Sequence, residues 1–432
     1  MLRSLYAGVS GMNANQEWID TIGNDIANIN TTAYKSSEVE FQDFMSQTVA
    51  GASAPTSTLG GIDPNQVGLG VSVAGVETNF SAGTEEQTGN PLDLSIQGNG
   101  FFVVNGNSGT YYTQDGQLSL DSNGDLVTAN GDLVQGWEAD SSGQIDTSAP
   151  LTNVTIPSNQ SVPATATTDV TFGGNIAPQT DWTNPTSSSG SSSSTGMSTS
   201  VTVYAPDGTE ESLDLAFVQT SAGSSSTGPT YDVYAALEPE GTTPTSSDYQ
   251  SLGSLSFDTN GDISTSGSGS SGTSGTLTYG SGSSAMTLDF GNVTANASAA
   301  SIAATNQNGN APGSLQSYSI NNDGIIQGVF SNGETLDLGQ IALANFANPG
   351  GLLNVGDSNF SATPDSGLAQ VGAPNTGSLG TVEAGTLEAS NVNLASEMTN
   401  LIQAQNGFQA NSSVIGTDNT LLQDLVNLKN GS

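Results

Sequence analysis

Two Asp-x-Asn-x-Asp motifs are the parts of this chain that most resemble a metal site. The first is Asp121-x-Asn123-x-Asp125, with Asp132 at the twelfth position, where a calcium-binding loop places its last ligand. Such a loop also needs glycine at its sixth position, which is Leu126 here, and a bidentate glutamate, which is missing. The Asn-Gly dipeptide inside the motif is a strong signal for a tight hairpin turn. We therefore predict a hairpin here rather than a metal site.

The second motif, Asp258-x-Asn260-x-Asp262, has Gly269 at its twelfth position and receives the same interpretation. The nearby Ser/Gly tract at 267–272 formally matches the G-x-G-x-x-G fingerprint of dinucleotide-binding proteins. That fingerprint requires a strand before it and a helix after it, and neither is predicted here. We therefore expect a surface loop and no bound nucleotide.

Adjacent carboxylates at Glu85-Glu86 and Glu210-Glu211 are the remaining candidates for acid–base chemistry. The chain has no histidine and no cysteine, so the commonest general base, the thiolate nucleophile and disulfides are excluded. No basic residue lies beside either pair, and solvated surface carboxylates explain both. We predict no catalytic residue, no metal site and no cofactor.

The charge of the chain is strongly one-sided. The formal net charge is −38, from 41 acidic residues and three basic ones, Arg3, Lys35 and Lys429. Nucleic acid is excluded as a partner, because phosphate binding needs cations. The number of acidic residues is ordinary, so cations have been lost rather than acids gained. Adaptation to an acidic medium is the favoured explanation, and secretion into high salt is the alternative.

The start of the chain, MLRSLYAGVSGMNANQ, resembles neither a membrane span nor a signal peptide. It carries one arginine, and glycine and asparagine interrupt the apolar region that a secretory signal needs. No segment reaches the ~20 apolar residues of a spanning helix, so no membrane insertion is expected. The Ser/Thr-rich, cysteine-free body looks extracellular. We expect export without a cleaved signal peptide.

Long amphipathic helices are predicted only at the two ends of the chain, over residues 2–30 and 391–428. Steps of three and four residues place apolar side chains on one stripe of each helix. The stripe residues are Leu2, Leu5, Val9, Met12, Ile19, Ile22, Ile26 and Ile29 in the first helix, and Leu394, Met398, Leu401, Phe408, Ile415, Leu422 and Val426 in the second. Gln405, Ser412 and Asn419 interrupt the second stripe. Narrow stripes of this kind bury against another helix, often in another copy of the chain.

The residues between the helices have the composition of strands, turns and Ser/Gly loops. Alternating segments and Asn-Gly turns predict a β-rich body that holds a second β-rich domain. The predicted fold class is α+β, mostly β, with a long helix at each end of the chain and nested β-rich domains between them. The predicted segments are the first helix with the residues that follow it (1–45), an extended connector (46–75), a discontinuous body (76–150 and 311–370), an inserted domain (151–310), and a second connector with the second helix (371–432).

Residues 9–35 have the sequence VSGMNANQEWIDTIGNDIANINTTAYK. This segment resembles the N-terminal signature of the flagellar rod and hook axial protein family of bacteria, with Ala33 in place of the glycine of that signature. LEASNVNLASEMTNLIQAQNGFQANSSVI (387–415) resembles the C-terminal signature, with Asn406 in place of its arginine. TGNPLDLSIQGNGFFVV resembles the start of the body domain of the family. ATNQNGNAPGSLQSYSINNDGIIQG and LGQIALANFANPGGL resemble hook-type members in particular.

The resemblance implies a self-assembling structural subunit rather than an enzyme. Hook-type subunits stack into a short, curved, hollow tube on the cell exterior, which joins the rotary motor to the filament and transmits torque. By this resemblance, the terminal helices are axial helices that form an inner coiled-coil layer lining the tube, and the β-rich domains form the outer layers. The stripe residues would then pack between subunits, and residues 1–45 would include an export segment. The implied partners are further copies of the chain, the distal rod protein, the hook cap protein, the hook–filament junction protein and the type III export apparatus.

Phe41 and Met45, which follow the first helix, have two interpretations. Early rod and hook subunits carry a Phe-x-x-x-apolar segment that the export gate reads, and these two residues fit that spacing. The alternative is structural, an aromatic side chain that pins the connector in place.

Other proteins of the same composition remain as alternatives. A distal rod-type axial protein shares both ends, but it is shorter and lacks an inserted domain. A secreted adhesin or glycan-binding β protein would require exposed aromatic clusters, and only 6% of the residues are aromatic. A secreted hydrolase is disfavoured by the absence of histidine and cysteine.

Overall fold

The chain folds into two units, which are described separately. The structure, a computed structural model, describes residues 2–52, 54–55, 60–157, 161–178, 197–224, 228–245, 247–264, 275–280 and 285–430. Unit 1 comprises Met1–Ser158, Tyr318–Gly328 and Leu336–Ser432, and unit 2 comprises Asn159–Ser317 and Val329–Thr335. The α+β, mostly β class predicted from the sequence is confirmed.

The two long helices lie at the ends of the chain. Helix α1 spans Leu2–Ala27 and α2 spans Leu394–Asn430. The Oδ1 atom of Asn393 accepts hydrogen bonds from the amides of Ala395 and Ser396, so this residue caps the start of α2. No helix in the described part of the chain is both long and apolar enough to cross a membrane.

Helix α1 ends earlier than the apolar spacing predicts, so the placement of Ile29 on the helix was wrong. Ile29 lies in the turn that follows α1. The Asn28 side chain donates to the Asn24 carbonyl oxygen at 2.9 Å, in competition with the helical hydrogen bond of the backbone. Asparagine favours such turn conformations over helix continuation.

The segment after α1 folds back on itself as a β-ribbon. The strands up to the chain's entry into unit 2 are β1 (Ser37–Asp43), β2 (Gln47–Ala50), β3 (Asn65–Val67), β4 (Val71–Thr78), β5 (Glu85–Gln87), β6 (Leu94–Gln97), β7 (Phe101–Gly106), β8 (Gly109–Thr113), β9 (Leu118–Leu120), β10 (Leu126–Thr128), β11 (Leu133–Glu138) and β12 (Thr152–Asn153). Strand β1 pairs with β4, from Ser37 opposite Thr78 to Asp43 opposite Val71, and β2 pairs with β3. The predicted extended connector is thus largely the two arms of this ribbon.

Unit 2 contains two four-stranded sheets over a dense apolar core. Its strands are β13 (Ser161–Val162), β14 (Asp169–Asn175), β15 (Met197–Tyr204), β16 (Glu210–Ser221), β17 (Thr230–Pro239), β18 (Gln250–Ser256), β19 (Thr276–Tyr279), β20 (Met286–Thr294) and β21 (Ala303–Gln307). One sheet has the order β15-β16-β17-β18 and the other the order β19-β20-β14-β21, with β14 and β20 parallel. Phe172, Phe217, Tyr231 and Phe290 are completely buried in the core.

The body of unit 1 is antiparallel and closes around a cluster of aromatic rings. The remaining strands of the chain are β22 (Gly313–Ile320), β23 (Ile325–Phe330), β24 (Thr335–Ile341), β25 (Leu343–Asn345), β26 (Leu353–Gly356), β27 (Asn359–Ser361), β28 (Gln370–Gly372), β29 (Thr381–Ala384) and β30 (Thr386–Glu388). The residues of β22, β23 and β24 are divided between the two units, and the later strands belong to unit 1. Strand β7 pairs with β8, β11 and β25, and β8 pairs with β27. Phe101, Tyr112, Phe346 and Phe360 pack edge to face, with the Tyr112 and Phe346 ring centres 4.8 Å apart. Two further pairs, β29–β6 and β30–β5, lead back toward α2.

Candidate assembly interface

Helices α1 and α2 pack against each other in an antiparallel direction through small residues. A β-carbon placed on Gly407 would lie 2.6 Å from the Asn15 Oδ1 atom, and one on Gly11 would lie 2.7 Å from the Asn411 Nδ2 atom. One placed on Gly8 would lie 3.2 Å from the Ile415 Cγ1 atom. The glycines therefore let the two backbones approach closely. We call these contacts, together with the buried Ala14 and Ala404, the glycine seam.

Polar side chains also take part in the glycine seam. The hydroxyl of Ser4 donates to the Asp418 carboxylate at 2.6 Å, and Asp418 is buried. Gln405, Ser412 and Asn419, the polar residues that interrupt the predicted stripe of α2, are exposed in the single chain. Sequence reasoning missed the polar contacts of the seam. The spacing of small residues by three, as in Gly8–Gly11 and Ala404–Gly407, was the signal available for finding it.

The structure places the predicted stripe residues of α1 mostly at half-buried positions. Ile22 is completely enclosed, and the Leu2 side chain lies outside the described residues. The half-buried members are Leu5, Val9, Met12, Ile19 and Ile26. The stripe of α1 is thus mostly half-buried in the single chain, whereas Gly8, Gly11 and Ala14 are buried.

In α2, the predicted stripe divides into a half-buried and an exposed group. The half-buried group is Leu401, Phe408, Ile415 and Leu422. The exposed group is Leu394, Met398 and Val426, to which the structure adds Ile402, Val414 and Leu421 of α2 and Tyr6 of α1. Ile402 exposes 59% of its surface. Pairing within one chain therefore leaves a series of large apolar side chains in water along the helices.

Carboxylates meet where α1 ends and α2 begins. Asp25 is completely buried, and it accepts hydrogen bonds from the Tyr34 hydroxyl at 2.8 Å and from the Ser37 amide at 3.0 Å. Burial raises the pKa of Asp25 despite these bonds. Burial also raises the pKa of Glu397, and the charges of Asp25 and Glu38 raise it further. Protonation of this junction is thus easier than for an isolated carboxyl group.

Phe41 and Met45 lie at the end of β1 and just beyond it. The Phe41 ring packs edge to face on Trp18 of α1, with centres 5.6 Å apart, and it remains 43% exposed. Met45 and its neighbour Phe44 are more exposed still. An aromatic side chain, Phe41, therefore does hold the segment after α1 against that helix. The reading of this segment by an export gate stays a prediction.

The first Asp-x-Asn-x-Asp motif is a hairpin turn, as predicted. The Asp121 Oδ1 atom accepts hydrogen bonds from the amides of Asn123 and Asp125, both at 2.8 Å. Gly124 has a φ of 90°, which only glycine adopts at little cost. The carboxylate that would bind a cation is thus occupied by the turn itself.

The second motif repeats this arrangement. Asp258 accepts from the amides of Asn260 and Asp262, and Gly261 has a φ of 89°. The tract at 267–272, with Gly269, lies outside the described residues. Within the described residues, no group of three or more acidic side chains could hold a metal ion.

Comparisons with known proteins agree along the chain. Residues 95–175 match the family described as flagellar hook protein FlgE/F/G D1 domain, and residues 175–310 match the flagellar basal body protein FlaE D2 domain. The N-terminal residues 5–35 match the flagella basal body rod protein family. Residues 383–428 match the C-terminal family of flagellar basal body rod FlgEFG proteins.

Individual relatives are similar over their full lengths. The flagellar hook protein FlgE of Borreliella burgdorferi is 35% identical over 449 residues, covering 100% of both chains. That of Escherichia coli K12 is 37% identical over 429 residues, covering 98% of each. A crystal structure of the Helicobacter pylori hook protein FlgE2 superposes with a TM-score of 0.51 at 14% identity, over 70% of this chain and 100% of that one. The last comparison concerns the fold alone.

Proposed function

Because the chain belongs to the flagellar hook protein family, we propose that it is a structural subunit of the bacterial flagellar hook. Copies of the chain assemble into a curved, flexible tube that joins the motor and rod to the filament and transmits torque. The subunit acts outside the cell and is exported without a cleaved signal peptide. Its partners are other copies, the distal rod protein, the hook cap protein, the hook–filament junction protein and the type III export apparatus.

The exposed apolar residues of α1 and α2 carry this proposal. Leu394, Met398, Ile402 and Leu421 are each more than two-fifths exposed in the single chain. Burying apolar surface stabilises an assembly by roughly 25 cal/mol per Å². A second copy that covers these side chains therefore supplies the free energy for polymerisation.

The distribution of charge supports packing between copies at α2. No Asp, Glu, Lys or Arg occurs from Met398 to Thr417, although the chain carries a net charge of −38. Burying unpaired charges between two like-charged copies would be costly. This part of α2 can enter a dry interface without that cost. We propose that the apolar stripes and the exposed group together form the inter-subunit contact.

The remaining parts of the chain take outer and export roles in the proposal. The body (76–150 and 311–370) and the inserted domain (151–310) form successive outer layers, and Phe41 with Met45 is the segment recognised during export. The exposure of Met45 leaves it accessible to such a receptor. Deleting 159–317, the larger part of unit 2, is expected to leave assembly intact and to alter tube curvature, as measured by electron microscopy.

The central experiment replaces Ile402 by Asp. This side chain is exposed in the single chain, so the charge costs the monomer little, whereas in a dry interface it costs several kcal/mol per subunit. We expect a folded monomer, measured by circular dichroism, that forms no tubes by electron microscopy. Leu401→Asp and Ile415→Asp are less selective, because Ile415 already contacts Gly8 in the same chain.

Gln403→Asp is the matched control. It adds the same charge at an exposed polar position one residue along α2. The control is expected to retain assembly better than Ile402→Asp. Wild-type tubes from Ile402→Asp would show that this face of α2 is not an inter-subunit contact.

A further inference from the structure

Lys35 is a buried cation in a chain that has lost nearly all others. Between Arg3 and Lys429 it is the only basic residue. Its Nζ atom lies 2.7 Å from the Glu388 Oε1 atom, and only 2% and 5% of the two side chains are exposed. The ammonium group also donates to the Ser81 carbonyl oxygen at 3.3 Å. A buried cation in a chain with only three basic residues points to a position that the fold requires.

Glu388 connects three separate segments of unit 1. Besides Lys35, its Oε1 atom accepts a hydrogen bond from the Gly83 amide at 2.6 Å. Its backbone carbonyl accepts from the Ala33 amide at 2.8 Å, and β30 pairs it with Glu85 of β5. Glycine is required at Gly83, because a β-carbon there would overlap the carbonyl oxygen of Ala389. One side chain thus joins the exit from α1, the return of the ribbon and the entry to α2.

Asn391 makes a second connection between the same three segments. Its Oδ1 atom accepts from the Ser36 amide at 2.8 Å. Its Nδ2 atom lies 2.8 Å from the Asn79 carbonyl oxygen and 3.0 Å from that of Ser81. Residues 33–36, 79–84 and 388–391 are the places where the chain passes between the helix pair and the strands. All three are held by two side chains that lie shortly before α2.

We propose that Lys35 and Glu388, supported by Asn391, form a clasp that sets the direction of the α1–α2 pair relative to the strands of unit 1. The clasp transmits load from the helices to the strands. This inference rests on the proposed function, because load passes through the clasp only in a tube. Lys35 is then a positioning residue, which acts through Glu388 on the path of the chain. Its loss changes tube geometry rather than the ability to fold.

The test compares Lys35→Met with the double variant Lys35→Met/Glu388→Met in the full-length chain. The single variant leaves Glu388 buried without its cation and lowers the thermal unfolding temperature. The double variant replaces a buried ion pair by apolar side chains of similar length, which restores that temperature. It cannot restore the hydrogen bond to the Gly83 amide. We expect exchange of the Gly83 amide hydrogen to accelerate about 10- to 100-fold, and tubes of the double variant to differ from wild type in curvature or bending stiffness.

The control is Glu86→Gln, which removes an exposed carboxylate from the neighbouring strand β5. It is expected to leave Gly83 exchange and tube curvature unchanged. Double-variant tubes with wild-type curvature, stiffness and Gly83 exchange would overturn the clasp while leaving the hook assignment intact. If wild-type protein formed no tubes, the hook assignment would fail, and Gly83 exchange in the monomer would still decide whether the clasp holds these segments.

Glu388→Gln covers the case in which the double variant does not fold. It keeps an acceptor for the Gly83 amide and removes only the charge that pairs with Lys35. We expect it to fold and to give tubes of altered curvature with little change in Gly83 exchange. Wild-type curvature in this variant would also overturn the proposal.

Discussion

The helix pair of unit 1 and the core of unit 2 are built on opposite principles. In unit 2, the rings of Phe172 and Phe290 stack with centres 4.9 Å apart, and Phe217 packs edge to face on Phe290 at 5.9 Å. All three side chains are completely buried. The helix pair instead meets through glycine, alanine and polar side chains, while large apolar residues such as Ile402 stay in water. Unit 2 holds its apolar surface inside, and the helix pair presents much of its own outside.

Because of this difference, we expect the stability of the monomer and the assembly of the tube to depend on different regions of the chain. A core that is complete within one chain folds without a partner. In the proposed assembly, a helix pair whose apolar side chains are exposed would gain further stability when another copy covers them. A substitution in the core of unit 2 should therefore lower the stability of the monomer more than it weakens tube formation. A substitution on the exposed face of the helix pair should weaken tube formation and leave monomer stability nearly unchanged.

The largest effect on the monomer is expected for Phe290→Ala in unit 2. The substitution leaves a cavity between Phe172 and Phe217, and such changes cost about 3–5 kcal/mol. Amide hydrogen exchange measured by mass spectrometry should show faster opening of β16 and β17, with little change in α1. The expected effect on tube formation is smaller than that of Ile402→Asp.

Ile402→Ala is the matched control in the helix pair. It removes a large apolar side chain that is mostly exposed, so the free energy of unfolding of the monomer should change by less than about 0.5 kcal/mol. Tube formation should nevertheless weaken. Equal losses of monomer stability from Phe290→Ala and Ile402→Ala would contradict the contrast between the two regions.

An intermediate effect is expected from two glycines of α2. Gly407→Leu places a bulky side chain in the glycine seam against Asn15, and overpacking of this kind costs about 1–3 kcal/mol. Gly416→Leu adds the same side chain where no heavy atom lies within 4 Å. Leucine also favours helix over glycine by roughly 0.5–1 kcal/mol, so this control should stabilise α2.

Urea unfolding followed by circular dichroism at the helical band measures both glycine variants. If the Gly407→Leu variant were as stable as the Gly416→Leu variant, the result would contradict the close approach of the two helices at the glycine seam. The comparison thus tests the seam independently of any assembly.

The existence of both helices could be predicted from apolar spacing, but the way they pair could not. Periodicity identifies which residues share a face, and the predicted stripe residues Leu5 and Phe408 are half-buried. It ranks glycine and asparagine as poor interface residues, although Gly11 and Asn411 lie at the closest approach. A small residue is informative only when its partner is known, and that partner lies about 400 residues away in the sequence.

Local turn chemistry was predictable, whereas long-range polar contacts were not. The Asp121 and Asp258 hairpins follow from residues within a single turn. The ion pair of Lys35 with Glu388 joins residues 353 positions apart, and no local pattern signals it. Ala33 was predictable only in part. It has a φ of 54°, at a position where the flagellar rod and hook axial protein family has glycine. The departure was visible in the sequence, but the left-handed conformation it must adopt there was not.

The smallest effect concerns Glu397 and the response of the helix pair to acid. Its pKa is raised, chiefly by burial and further by the charges of Asp25 and Glu38, so the folded state takes up a proton at a higher pH than the unfolded chain. The stability that proton uptake by Glu397 contributes is fully present below the pKa of this group in the unfolded chain. It is lost as the pH rises through the pKa of Glu397 in the folded state. Glu397→Gln should therefore be more stable than wild type at pH 7, and the difference should shrink toward pH 4. Urea unfolding at several pH values measures it, with Glu17→Gln, an exposed carboxylate of α1, as the control for net charge. A constant difference between the Glu397→Gln variant and wild type from pH 7 to pH 4 would mean that the junction does not contribute to the preference for acid that the loss of lysine and arginine suggests.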